Sequence, residues 1–108
     1  MVAILVMCSC PDKVVAGTIA GALVAEHLAA CVNLLPQISS TYRWDGEICH
    51  ETESLMLIKT TRARFEALRE RIEALHPYDV PEIIALDIAT GSSGYLDWIT
   101  RETRPDAS

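Results

Sequence analysis

The stretch CVNLLPQISSTYRWDGEICHETESLMLIKTT, residues 31–61, holds two strand-like runs joined by Asp45-Gly46. Asp-Gly between strands is a strong hairpin signal, because both central positions of a type I′ turn need positive φ. The arms, about 31–44 and 47–61, are long for strands. Pro36 cannot donate a ladder hydrogen bond, so a bend or bulge is expected there. Arms of this length should project beyond a 108-residue body. Such edges normally need a partner.

Working outward towards the N-terminus, Val2 to Cys8 is a continuous apolar run rich in β-branched residues, read as a strand buried on both faces. Pro11 then suits a first helical turn, with Asp12 near the positive helix end. Ala16, Ile19, Ala20, Leu23 and Val24 recur at helical spacing, so residues 11–29 read as an amphipathic helix. On the other side, Thr61 is placed to cap a helix over 62–75 whose inner face is Phe65, Leu68, Ile72 and Leu75. Pro77 disfavours helical angles at His76 and should end that helix. Pro81 likewise holds Val80 extended. Residues 82–89 then form a strand, and GSSG at 91–94 a turn. Tyr95, Trp98 and Ile99 mark a short C-terminal helix, and the chain is expected to fray after Pro105. The order β-α-β-β-α-β plus a final helix predicts an α+β, ferredoxin-like split βαβ fold. Its antiparallel sheet carries both main helices on one face. A single domain over 1–108 suits this length.

Half of the residues are hydrophobic, more than a small monomer can easily hide, and this points to an oligomer. The net charge of −6 argues against nucleic acid as the main partner, because phosphate binding needs clustered Lys and Arg. No apolar run approaches the roughly 18–20 residues of a membrane span. The start, MVAILVMC, has neither the basic region nor the cleavage site of a signal peptide. Four cysteines without a secretion signal suggest free thiols in a reducing cytoplasm.

Cys8 and Cys10 form a C-x-C at a strand-to-helix junction. Thiolate and imidazole are good ligands for copper or zinc, and a helix N-terminus favours the thiolate. Set against this is the structural reading, in which Cys8 is a small buried hydrophobe and Cys10 a junction residue. His76 has three readings: a metal ligand, a cation at a helix C-terminus, or a neutral ring hydrogen-bonded to backbone. His27, at the edge of an apolar stripe, and His50, in a hairpin arm, read as structural or solvated. Cys31 reads as core and Cys49 as more exposed. Lys59, Glu53, Glu82, Tyr78 and Trp98 are candidates to line a cleft between subunits, and Tyr42 and Trp44 to pack against a neighbouring subunit. There is no Ser-His-Asp order, P-loop or nucleotide fingerprint, so no enzymatic turnover is expected.

Five motifs occur in order: ACVN (30–33), YRWDGEI (42–48), LMLIKTT (55–61), HPYDVPEIIAL (76–86) and GYLDWI (94–99). Together they resemble the CutA family of divalent-cation tolerance proteins over nearly the whole chain. The resemblance implies a cytoplasmic homotrimer of ferredoxin-like subunits, packed through sheets and long hairpins and linked to tolerance of copper and other divalent cations. It also implies copper ligands at the cysteine ending the first strand and the histidine of HPY, which are Cys8 and His76 here. The chain departs from the family pattern at Leu75, where some relatives have a second histidine, at Asp79 in place of glutamate, and at Gln37 in place of glycine.

Other proteins of this fold suggest further functions. A signalling or scaffold trimer like the nitrogen-regulatory PII proteins would bind a ligand or protein partner at inter-subunit clefts. PII proteins, however, use a long loop where this chain has a tight turn. Copper chaperones of the fold carry C-x-x-C rather than C-x-C. An RNA-binding sheet would need aromatic stacking platforms that VAILVMC lacks.

Overall fold

In the computed structural model, residues 2–105 are described; the expected fraying beyond Pro105 lies outside them. The hairpin organises the sheet. Strands β2 (Cys31–Trp44) and β3 (Glu47–Thr61) pair antiparallel from Cys31↔Lys59 to Trp44↔Glu47. At the turn, Asp45 has φ 53° and Gly46 φ 81°, the positive pair that a type I′ turn demands. The register shifts between Leu35 and Ile38, on either side of Pro36, as the missing proline donor predicts. Gln37 takes up the extra residue in a left-handed conformation, φ 58°.

Strand β1 (Ala3–Cys10) pairs antiparallel with β3 on one side and with β4 (Ile84–Asp87) on the other, giving the order β2-β3-β1-β4. With side chains alternating along each strand, Ile4, Val6, Cys8 and Cys10 join Met56 and Ile58 of β3 in the main core. That core also takes Ala16, Ile19 and Leu23 from helix α1 (Lys13–Ala25), and Leu68 and Ile72 from helix α2 (Phe65–Leu75). Leu68 and Ile72 are fully buried, which stabilises the α2 contact by about 1.5–3 kcal/mol per side chain. Both main helices therefore cover one face. A third helix, α3 (Ser93–Glu102), packs Ile99 against Ala3 and Ala30 in a smaller second cluster.

The remaining sheet face is open in the single chain, so β1 is not buried on both faces. Leu5 and Met7 are half-buried, and their β4 partners Leu86 and Ile84 are exposed.

Several predicted boundaries move for identifiable reasons. Residues 11–29 are not all helical. Pro11 lies outside α1, and Asp12 is its N-cap, accepting the Val15 amide at 2.9 Å. The helix stops because His27 turns left-handed, φ 59°, and the Leu28 amide bonds back to the Leu23 carbonyl at 2.9 Å. Thr61 occupies a cap position but makes no capping bond, and its Oγ1 has no partner among the described residues. As the last residue of β3, paired with Ala3, its side-chain direction follows the sheet rather than the turn. Residues 62–64 form a 3-10 turn before α2. The last strand covers four residues instead of 82–89, and α3 begins inside GSSG.

Candidate metal centre

Cys8 and Cys10 are two residues apart on β1, so both point from the same face towards the helices. Each is fully buried. His76 arrives from the end of α2. Its own amide closes the last turn onto the Ile72 carbonyl at 2.8 Å, and its backbone is then extended, φ −80° and ψ 137°, as the following proline requires. The ring bends back to β1. Nε2 lies 2.8 Å from the Ser9 carbonyl, between the two cysteines, and Nδ1 lies 3.1 Å from the Tyr78 amide. A carbonyl can only accept and an amide can only donate. These two bonds therefore fix a neutral ring with its proton on Nε2.

Ligand atoms of Cys8, Cys10 and His76 all lie within 4.8 Å of one another, and all three residues are buried. The structure thus brings the two sequence-predicted residues together within one chain. It adds Cys10, which belongs to the strand rather than to a junction. The signal for that addition was in the sequence: a C-x-C on a strand places both sulfurs on one face.

A second layer surrounds the trio. The His76 and Tyr78 rings are 4.7 Å apart, and the Tyr78 hydroxyl donates to Glu53 Oε2 at 2.9 Å. Glu53 is itself only 7% exposed. Burial, followed by the Glu53 hydrogen bond, pushes the Tyr78 phenol well up. The two thiols split: hydrogen bonding between the sulfurs raises Cys8, aided by burial and by nearby charge, and lowers Cys10 against its burial. One zinc ion with bonds of about 2.3 Å spans sulfurs up to about 4.6 Å apart, so this donor set fits a soft metal after a small inward movement.

The other nominated residues are elsewhere. Of the proposed cleft group, Glu53 and Tyr78 are hydrogen-bonded to each other. Lys59 approaches Cys31 Sγ at 3.9 Å, and the Trp98 ring lies tilted against Tyr95 with centroids 5.4 Å apart. Glu82 is exposed, its charge still reaching Cys8. Cys31 is half-buried rather than core, as is Cys49. His50 bonds Thr41 across the hairpin at 3.2 Å, and Tyr42 bonds Glu51 at 2.8 Å. His27 donates from Nδ1 to the Glu102 carbonyl at 3.1 Å, tying α1 to α3. A cavity of about 630 Å³ beside α3, lined by Ala3, Leu96, Asp97 and Arg101 among others, contains no cysteine or histidine and is separate from the trio.

Residues 4–102 match the family model described as CutA1 divalent ion tolerance protein. The chain belongs to this family. It is 54% identical over 98 residues to the divalent-cation tolerance protein CutA of Thermus thermophilus, covering 91% of this chain and 95% of that one. A solved Thermus CutA1 structure superposes with a TM-score of 0.93 at 52% identity, covering 94% of this chain and 99% of that one. The rice chloroplastic CutA protein is 44% identical over 94% of this chain, which spans only 57% of that relative's length. A structure titled as the periplasmic CutA of Archaeoglobus fulgidus is 35% identical, with a TM-score of 0.92, covering 94% of this chain and 99% of that one. The ferredoxin-like architecture of the CutA1 family is thus the fold of this chain.

Proposed function

We propose that this protein is a metal-responsive trimer that binds copper through Cys8 and His76 and acts without enzymatic turnover. The observation that carries the reading is the convergence of a buried thiol on β1 and a buried imidazole at the end of α2. The family's tie to divalent-cation tolerance gives that pair a task. Soft sulfur and borderline nitrogen favour copper over magnesium or calcium, which need several oxygen ligands.

Assembly into a homotrimer is supported by the open sheet face, with exposed Leu35, Ile84 and Leu86, and by exposed Trp44 and Ile48 at the hairpin tip. All four cysteines are free, which supports a cytoplasmic setting. A PII-like signalling role is less favoured, because only Asp45 and Gly46 join β2 to β3.

Calorimetric titration of copper into wild type, Cys8→Ser and His76→Ala tests the site, and light scattering tests the trimer. Weaker binding in both variants, on particles of three times 11.9 kDa, is expected. Equal affinity in all three proteins would remove the metal role. Cell fractionation checks the compartment.

A further inference from the structure

We propose that Cys10 is a third ligand beside Cys8 and His76, making a buried two-sulfur, one-nitrogen site for monovalent copper, and that filling it frees the Tyr78 amide. This rests on the reading that Cys8 and His76 hold copper, and adds a third ligand, the oxidation state of the ion and what its arrival does to the chain.

The choice of metal follows from the donor set. Cys8 and Cys10 are fully buried and their sulfurs share one face of β1 with the imidazole. Among the described residues, the mutually close set contains two sulfurs and one nitrogen and no carboxylate. Two thiolates select soft ions. Zinc prefers a fourth ligand to complete a tetrahedron, and the close set supplies three among the described residues. Monovalent copper is satisfied by three donors, so the site holds it without recruiting a fourth.

The release of Tyr78 follows from counting protons on the ring. As the chain stands, Nε2 carries the proton and Nδ1 accepts the Tyr78 amide at 3.1 Å. If the metal takes Nδ1, that lone pair is gone. If it takes Nε2, the displaced proton of a neutral ring moves to Nδ1, where a donor then faces a donor. The Tyr78 amide loses its acceptor in both cases. Occupancy is thereby coupled to the segment that follows His76, where Tyr78 reaches Glu53 on β3 and Val80 is 71% exposed. A buried metal site gains a route to the surface through one backbone hydrogen bond.

The test is an anaerobic titration with monovalent copper against a chromogenic copper(I) chelator, using wild type, Cys10→Ser, Cys8→Ser and His76→Ala. Amide hydrogen exchange at Tyr78 is followed with and without copper. All three variants should lose affinity by at least about tenfold, and copper should accelerate exchange at Tyr78 in wild type. Full affinity in Cys10→Ser, with the other two weakened, overturns the third ligand and leaves the proposed function standing. Full affinity in all three overturns both. Unchanged Tyr78 exchange in the loaded protein overturns the release. If Cys10→Ser fails to fold, X-ray absorption on copper-loaded wild type decides instead: two sulfurs at the metal support the site, and one contradicts it.

Discussion

Replacing Tyr78 with phenylalanine removes one hydroxyl and exposes how Glu53 is held. The Tyr78 hydroxyl donates to Glu53 Oε2 at 2.9 Å, and Glu53 is 7% exposed. A hydrogen bond to an ionised group contributes about 1.5–3 kcal/mol, and losing it leaves a buried carboxylate short of a partner. Tyr78 keeps some contact with solvent, so a value near the lower end, about 1–2 kcal/mol, is expected for Tyr78→Phe. In a domain of this size, each kcal/mol moves the melting midpoint by roughly 4–8 °C. Denaturant unfolding at one fixed protein concentration measures the change, because assembly makes stability concentration-dependent. In a Glu53→Gln background the acceptor is uncharged, so the same replacement should cost less, and the double-mutant cycle isolates the pair. A loss below about 0.3 kcal/mol in the wild-type background, or the same loss in both backgrounds, would refute the pairing.

Gln37 sits exposed at φ 58°, where glycine has no Cβ penalty, so Gln37→Gly should stabilise by about 1 kcal/mol in chemical denaturation. Trp44 is 56% exposed beside the turn; if it anchors the trimer, Trp44→Ala should cost about 2 kcal/mol of assembly energy, seen as dissociation on dilution in light scattering. The Cys10 thiol is held down chiefly by Cys8. Thiolate absorbance during a pH titration of Cys8→Ala should therefore show Cys10 ionising at higher pH than in wild type. An unchanged or lower ionisation pH would mean the sulfurs do not share a proton.

The element order was legible because its signals are local: the Asp45-Gly46 turn, the helical repeat of Phe65, Leu68 and Ile72, and the proline after His76. The ends of α1 were not. Pro11 and Asp12 compete for the start, and the structure resolves this in favour of the Asp12 side chain bonding Val15. Nothing in the residues near His27 announces the left-handed turn that ends the helix. The last strand was over-extended because the largely apolar stretch 82–89 continues past the four residues that find β1 as a partner. For the site, the family resemblance nominated Cys8 and His76, while Cys10 was read as a junction residue because β1 was expected to end at Cys8, whereas it runs on to Cys10. The meeting with His76 depends on the chain's return from α2 to the end of β1, across a separation of 67 residues from Ser9. The Tyr78–Glu53 contact joins residues whose neighbourhood no local pattern encodes.

The most direct test of the central claim is a crystal of the copper-loaded protein measured at the copper absorption edge. The account predicts an anomalous peak between the Cys8 sulfur and the His76 ring, with Cys10 on its third side, repeated in each subunit. A peak at His50 or His27 instead, with the His76–Ser9 and His76–Tyr78 hydrogen bonds intact, would contradict it.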